Sequence, residues 1–336
     1  MTVVGPFGLS VRDQALEADV QAGLAAVEEG LLEATKSEVP FITEAAQHLV
    51  RAGGKRFRPL LVMLAARFGD RYAPGVVPSA VVVELTHLAT LYHDDVMDEA
   101  EVRRGVDSAN TRWGNSVAVL TGDFLFARAS HILADLGPEA VRVQAEAFER
   151  LVTGQILETA GPQDGRDPVE HYLDVLSGKT GSLVAVSCRF GAMMSGADET
   201  VVDVLTQYGE RLGVAFQLAD DVLDIASDSH ESGKTPGTDL REGIPTLPVL
   251  RLRERAERLG LAEDIALCEL LDSDLSDDAR LAEALAQLRV HPALEQARRD
   301  TVRYAEDARA ALAPLPDIDA KAALMELCDA VVHRAG

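Results

Sequence analysis

The amino-acid sequence predicts an all-α protein that forms one large helical domain. Apolar residues recur with the helical period along most of the 336 residues. No long run alternates apolar and polar residues between turn residues, as strands do. The segments without a helical pattern are short and rich in glycine, proline and charge. We therefore expect a single domain over 1–336, with a motif-bearing core at about 53–250 and outer helices at about 255–334.

Three segments carry the strongest helical patterns. "RPLLVMLAARFG" has Pro59 near its start and Gly69 at its end, the asymmetry that helices favour. "SAVVVELTHLATLYHDDVMDEA" is apolar on nearly every face, which indicates a buried central helix. "ETVVDVLTQYGERLGVAFQLADDVLDIASD" has the same character, although Gly209 and Gly213 weaken it locally. Amphipathic patterns near the C-terminus predict charged outer helices, one of them with Ser276 as its N-cap.

Composition and charge exclude several classes of protein. A formal net charge of −23 leaves no basic excess to neutralise the phosphates of a nucleic acid. Cys188, Cys268 and Cys328 are too far apart for a C-x-x-C metal site and too few for a disulfide framework, which favours a reducing, cytoplasmic setting. The N-terminus does not resemble a signal peptide. No uninterrupted apolar run reaches the ~18 residues of a spanning helix, so we expect a soluble protein.

Two clusters of aspartates lie near the C-terminal ends of the two most apolar helices. They comprise Asp94, Asp95 and Asp98 in "LYHDDVMDEA", and Asp220, Asp221 and Asp224 in "FQLADDVLD". The first and last acid of each cluster are four residues apart and share a helix face. A single cluster of this kind could be a solvated surface. Carboxylates at a helix C-terminus are unfavourable without compensation, however, and burial raises their cost. Two clusters on core helices therefore favour a site for divalent cations.

All-oxygen ligation indicates Mg²⁺ or Mn²⁺, because these hard ions suit carboxylates. The loop pattern of an EF-hand calcium site is absent. Mg²⁺ typically takes one or two carboxylates together with water and substrate phosphate. The sequence therefore predicts an anionic substrate.

Cations and polar residues near the clusters show where its phosphates could bind. They are Lys55 and Arg58 in "GGKRFRP", His87 two turns before Asp94, Arg103 and Arg104 after the first cluster, Lys179 and Thr180 in "SGKTGS", Gln217 one turn before Asp220, and Lys234 in "SGKTPGTD". Each alone is more often ordinary surface or core. The two G-K-T triplets are not P-loops, and no G-x-G-x-x-G occurs. Together these residues predict two anion sites, one reached through metal and one built from cations alone.

The motifs as a set resemble those of the trans-isoprenyl diphosphate synthases, the polyprenyl synthetases, of medium- or long-chain type. The resemblance runs collinearly from about Gly53 to Leu250 through "GGKRFRP", "LTHLATLYHDDVMDEAEVRRG", "TGDFLFARAS", "SGKTGSL", "FQLADDVLD" and "GKTPGTDLREG". It implies an isoprenoid-synthase type of fold, with core helices around a deep central cavity, and a homodimer. It also implies head-to-tail condensation of isopentenyl diphosphate with a geranyl, farnesyl or geranylgeranyl diphosphate, giving an all-trans product.

The resemblance also assigns roles to residues. The six aspartates would hold a cluster of about three Mg²⁺ ions, with Mn²⁺ as an alternative, and would form the catalytic set together with Lys179 and Lys234. Arg103, Lys179, Thr180, Gln217 and Lys234 would bind the allylic diphosphate, and Lys55, Arg58, His87 and Arg104 would bind isopentenyl diphosphate. Thr86, Ala89 and Thr90 would form the wall that limits the growing chain. Because these three are small, we expect a product of 25 carbons or more.

Four alternatives stay open at this stage. A geranylgeranyl diphosphate synthase would use the same chemistry and stop at 20 carbons. A class I terpene cyclase usually carries an Asn/Ser/Glu triad where this chain has "DDVLD", and a non-catalytic partner subunit tends to lose the acidic motifs. A plain phosphohydrolase has no use for the metal-free cations. Other expectations are no transmembrane span and a peripheral membrane contact when a long product is released.

Overall fold

The computed structural model describes residues 3–4, 9–10, 14–163, 165–227 and 236–335. Helices account for nearly all of the regular structure in these ranges, which confirms the all-α expectation. The first eight are α1 (Gln14–Ala34), α2 (Pro40–Arg51), α3 (Phe57–Ala65), α4 (Val76–Met97), α5 (Ala109–Trp113), α6 (Asn115–Leu136), α7 (Pro138–Ala160) and α8 (Pro168–Leu176). The others are α9 (Ser182–Met194), α10 (Glu199–Ala226), α11 (Thr238–Arg241), α12 (Leu247–Leu259), α13 (Ala262–Leu271), α14 (Asp278–Arg289), α15 (Pro292–Ala311) and α16 (Asp319–Ala335).

Within the described ranges, the strands form two very short antiparallel ribbons. β1 (Val3–Val4) pairs with β2 (Leu9–Ser10), and β3 (Val102–Arg103) pairs with β4 (Val106–Asp107). The sequence analysis did not predict them, because two residues are too few to show an alternating pattern. The second ribbon follows the first acidic cluster directly.

The chain divides into two compact units. The first comprises Met1–Glu149, Leu183–Gly209 and Ala311–Glu326, and the second comprises Arg150–Ser182, Glu210–Ala310 and Leu327–Gly336. The expectation of a single domain stays a prediction. Each unit carries one of the two acidic clusters.

In the first unit, α4 is the central helix and packs against α6, α1 and α3. Val83, Leu85, Leu88 and Ala89 are fully buried on different faces of α4. This is the arrangement expected of a helix that is apolar all round. α3 continues into a 3₁₀ turn, Ala66–Phe68, that ends at Gly69 as the sequence predicted.

In the second unit, α12 packs against α8 and α13, and α13 packs against α14. The predicted N-cap of α14 is wrong by one residue: Asp277, not Ser276, accepts the N–H groups of Ala279 and Arg280, both at 2.9 Å. A carboxylate at this position also interacts favourably with the helix dipole. α10 runs unbroken through both of its glycines.

α6 is unusually apolar. Among the described residues it is the one helix long and apolar enough to cross a membrane, with a mean hydropathy of 1.3 over 18 residues, of which 33% are buried. Length and composition alone are weak evidence for a span, because core helices of soluble proteins meet the same criterion. Asp123 and Arg128 interrupt the apolar run.

Candidate active site

The first acidic cluster lies at the C-terminal end of α4. Asp94 and Asp95 lie in the last turn, and Asp98 is the C-cap, whose N–H donates to the carbonyl of Asp94 at 2.8 Å. Asp95 is fully buried, whereas Asp98 is exposed. The Nε of Arg103 donates to Oδ1 of Asp95 at 2.6 Å. Oδ2 of Asp95 is buried and has no hydrogen-bond partner among the described residues. Burial raises the pKa of Asp95, with Arg103 acting in the opposite direction.

The β3–β4 ribbon places two arginines beside this end of α4. Arg103 lies on β3, from which it reaches Asp95. Arg104 follows in the turn with a left-handed φ of 54°, and its Nη1 donates to the carbonyl of Leu49 at 2.9 Å and to that of Gly53. A Cβ at Gly54 would lie 2.9 Å from the Cζ of Arg104, so this glycine leaves room for the guanidinium. The two neighbouring arginines thus bind different partners: Arg103 binds the carboxylate of Asp95, and Arg104 binds backbone carbonyls.

A buried glutamate that the sequence analysis missed, Glu84, contacts two of the arginines in this region. Glu84 on α4 is 2% exposed, and its Oε1 accepts from Nη1 of Arg56 at 2.9 Å and lies 3.7 Å from Nη2 of Arg104. Arg56, also missed, additionally bonds Glu28 and the carbonyl of Val50. Arg56 is therefore neutralised by carboxylates and holds the loop before α3 in place.

Arg58 is less well compensated than Arg56. Its Nε is buried and has no hydrogen-bond partner within the described residues. Burial lowers the pKa of Arg58 to about 10, with Glu84 opposing and Arg104 adding to the effect. Burial and then Arg58 and Arg104 hold the pKa of His87 well below its ordinary value, so the imidazole is neutral at pH 7. The structure thus brings Arg58, His87 and Arg104 together, while Lys55 is exposed.

The second acidic cluster lies in the last turns of α10. The Nε2 of Gln217 donates to Oδ1 of Asp221 at 3.2 Å, and Oγ1 of Thr180 lies 3.5 Å from Oε1 of Gln217. Asp220 forms an ion pair with Nη2 of Arg334 at 3.0 Å. The carboxylate of Asp224 accepts the N–H groups of Thr238 and Asp239, which begin α11.

Lys179 lies in a π-helical turn, Ser177–Gly181, between α8 and α9. Its Nζ is 2.6 Å from Oε2 of Glu158 on α7. Lys234, which the sequence predicted to bind the same diphosphate, lies outside the described residues. Arg334 and Glu158 were missed, because an arginine in the last turn of a helix and an acid on a charged helix face give no signal in a sequence.

The donor set fits a divalent cation that is bound jointly with a ligand. No group of three or more His, Cys, Asp or Glu side chains stands close enough to hold a metal within the described ranges. Mg²⁺ does not need such a group, because it takes one or two carboxylates and completes its shell with water and phosphate oxygens. The buried Oδ2 of Asp95 is a carboxylate oxygen, the type of atom that this ion prefers as a ligand.

The predicted chain-length residues lie on α4 before the first cluster. Ala89 is fully buried, and a Cβ at Gly122 of α6 would lie 3.1 Å from its carbonyl oxygen. Oγ1 of Thr86 accepts from Nε2 of Gln144 on α7 at 2.9 Å, and Thr90 donates to the carbonyl of His87. Thr86 and Ala89 therefore lie against α7 and α6 of the first unit, whereas the hydroxyl of Thr90 bonds within α4.

The chain matches the family model described as polyprenyl synthetase over residues 39–288. It is 47% identical over 331 residues to a nonaprenyl diphosphate synthase of Mycobacterium tuberculosis, covering 98% of this chain and 97% of that protein.

Two solved structures are also similar to this chain. One is a geranylgeranyl pyrophosphate synthase from Corynebacterium glutamicum, complexed with calcium and isoprenyl diphosphate, with a TM-score of 0.87 at 44% identity over 97% of this chain and 99% of that one. The other is a decaprenyl diphosphate synthase from Rhodobacter capsulatus, with a TM-score of 0.86 at 37% identity over 96% of this chain and 99% of that one.

Proposed function

Because this chain belongs to the polyprenyl synthetase family and is a trans-polyprenyl diphosphate synthase, we propose that it extends an allylic diphosphate to an all-trans product of 25 carbons or more. The observation that carries the site assignment is the pair of aspartate clusters ending α4 and α10, each with its own arginine, lysine or glutamine neighbours. Isopentenyl diphosphate is the second substrate. Geranyl, farnesyl and geranylgeranyl diphosphates are the candidate starters.

The aspartates bind the metal in this proposal. Each cluster would hold Mg²⁺, or Mn²⁺ in its place, and the ion would supply a Lewis acid that neutralises the charge of the departing diphosphate. Asp95 offers a buried carboxylate oxygen that has no hydrogen bond in the described structure, and Arg103 fixes its orientation. We assign Lys179, Thr180, Gln217 and Lys234 to the allylic diphosphate, and the family resemblance assigns Arg103 to this substrate as well. Lys179 exchanges its contact with Glu158 for phosphate oxygens.

Isopentenyl diphosphate binds to the cations of the first unit without metal. Arg58 has a buried Nε–H that still lacks an acceptor in the described residues, and Arg104 and Lys55 add positive charge. His87 is neutral, so it contributes a hydrogen bond to the substrate but no positive charge. Holding the double bond of this substrate near the allylic carbon accelerates the attack by proximity.

Small side chains at Thr86, Ala89 and Thr90 support a long product, since they leave the space that a bulky aromatic would fill. The similarity to a nonaprenyl and a decaprenyl diphosphate synthase agrees with this length. A 20-carbon product is the second candidate. The similarity to the geranylgeranyl pyrophosphate synthase of C. glutamicum favours it.

A homodimer in the cytoplasm is also part of the proposal. α6 leaves Leu120 66% exposed and Val119 39% exposed. An interface between subunits would cover these two exposed apolar side chains. A peripheral membrane contact would receive a long product on release.

Alanine variants of the two clusters test the site assignment. We expect Asp94→Ala and Asp220→Ala to abolish condensation while the circular dichroism spectrum stays unchanged. Asp272→Ala is the matched control, because this exposed aspartate is the C-cap of α13, pairs with Arg253 and belongs to neither cluster. Near-normal rates in either cluster variant would contradict the assignment.

A further inference from the structure

The π-helical turn that carries Lys179 and Thr180 is joined to neighbouring helices through its first residue, Ser177, which bonds Arg150 and Glu210. Oγ of Ser177 donates to Oε1 of Glu210 at 2.5 Å. Arg150 donates to both carboxylate oxygens of Glu210, with Nη1–Oε2 at 2.9 Å and Nη2–Oε1 at 2.5 Å. Nη2 of Arg150 also donates to Oγ of Ser177 at 3.1 Å, which closes a triangle of hydrogen bonds. We call Arg150, Ser177 and Glu210 the Glu210 clamp.

A π-helical turn needs such support, because it is rare and replaces the regular ladder of hydrogen bonds with wider ones. The N–H of Ser182 bonds to the carbonyl of Ser177, five residues back. Oγ of Ser182 donates to the carbonyl of Gly178 at 2.6 Å. These bonds hold the turn internally, but they do not fix its position against neighbouring helices.

Two glycines let the turn approach α7 closely. A Cβ at Gly178 would lie 2.9 Å from the carbonyl oxygen of Arg150 and 3.1 Å from the Cα of Gly154. A Cβ at Gly154 would lie 2.6 Å from the backbone nitrogen of Lys179. The backbone beside Lys179 therefore rests directly on α7, in the same turns that supply Arg150.

The Glu210 clamp also fixes the position of the turn along the axis of α10. Glu210, Gln217 and Asp221 are separated by seven and four residues and share one face of that helix. The turn meets this face twice, through Ser177 at Glu210 and through Thr180 at Gln217. The two places are about 10 Å apart along the helix axis. Anchoring the turn at Glu210 thus keeps Thr180 level with Gln217 and Asp221.

We infer that Arg150, Ser177 and Glu210 are positioning residues for the allylic diphosphate, because they hold Lys179 and Thr180 where that diphosphate binds. The inference rests on the proposed function, which assigns the diphosphate to these two residues. An exposed ion pair alone would contribute little. Here, however, the arginine is bidentate and the serine joins both of its partners, so the geometry is fixed.

Kinetics with the purified full-length protein test the inference. We expect Ser177→Ala and Arg150→Lys to raise KM for farnesyl diphosphate about tenfold, since small misplacements of binding groups have effects of this order or larger. KM for isopentenyl diphosphate should change less than about twofold, because its site lies on other residues. Lysine cannot reproduce the bidentate contact. Arg253→Lys is the control for the substitution itself, because Arg253 forms an ion pair with Asp272 through a single contact at 2.7 Å outside this turn.

A second background separates positioning from general destabilisation. In a protein that carries both Lys179→Ala and Thr180→Ala, adding Ser177→Ala should have no further effect on KM for farnesyl diphosphate. Equal increases of both KM values, or a full additive effect in that background, would overturn the inference. If the Lys179→Ala, Thr180→Ala protein raises this KM and the clamp variants do not, the clamp inference alone fails. If that protein binds farnesyl diphosphate normally, the proposed site fails and the inference falls with it.

Discussion

Asp95→Asn separates two roles of the buried aspartate at the end of α4. One carboxylate oxygen accepts a hydrogen bond from Arg103, and the other is proposed to bind the metal. The asparagine keeps the shape of the side chain and can still accept from Arg103, whose Nε lies 2.6 Å from Oδ1. It removes the charge and the anionic oxygen at Oδ2, which has no hydrogen bond in the described structure. Burial raises the pKa of Asp95, so the ionised form is costly without a cation. We therefore expect the variant without metal to be at least as stable as the parent protein.

The difference should appear when ligands are added. A ligand set at about 100 times its dissociation constant stabilises the folded state by about 2.7 kcal/mol. For a chain of 336 residues, an unfolding entropy of about 2.1 cal/mol/K per residue makes each kcal/mol correspond to about 1.4 °C in Tm. The parent protein should therefore gain about 4 °C with Mg²⁺ and inorganic pyrophosphate together, and Asp95→Asn should lose most of this gain. Differential scanning fluorimetry with and without Mg²⁺ measures both shifts. An unchanged gain in the variant would refute the role of Asp95 in metal binding.

Three further predictions follow from the same residues. Ala89→Phe should shorten the product, because Ala89 is fully buried beside α6 and an aromatic ring at this position would block the growing chain. Thin-layer chromatography of the products measures their length. An unchanged length would rule out this position as the limit. Arg58→Met should raise KM for isopentenyl diphosphate at least about tenfold, as expected for a charge-assisted contact worth about 1.5–3 kcal/mol, and leave KM for the allylic substrate unchanged in the same assays. The pKa of His87 is lowered on folding, so the free energy of unfolding should fall as the pH drops through about 6.5, where the unfolded chain takes up a proton. Urea unfolding at pH 5.5 and 7.5 should give a smaller difference in this free energy for His87→Gln than for the parent protein. Equal differences would contradict the assignment.

Much of the fold was predictable, because its signals are local. α4 and α10 are apolar on most faces and end where the sequence places the aspartates, so their type and burial followed from periodicity. The family resemblance, the fold class and the reaction class are confirmed by the comparisons. The roles of individual residues remain proposals.

The parts that were missed depend on contacts distant in sequence or on backbone geometry. Glu84 is an acid inside an apolar helix, and that signal could have predicted a buried partner but not that Arg56 would be one. The left-handed φ of Arg56 and Arg104 leaves no trace in a sequence, because glycine is the usual residue there. The π-helical turn was equally invisible, since Gly178 and Gly181 resemble ordinary helix breakers.

The length of the product made from farnesyl diphosphate tests the central claim most directly. The purified protein is incubated with Mg²⁺, farnesyl diphosphate and labelled isopentenyl diphosphate, and the carbon number of each labelled product is measured. The account predicts a series of products that ends at one defined length of 25 carbons or more. Products that end at 20 carbons would contradict the wall assigned to Thr86, Ala89 and Thr90. No incorporation with geranyl, farnesyl or geranylgeranyl diphosphate would contradict the proposed activity itself.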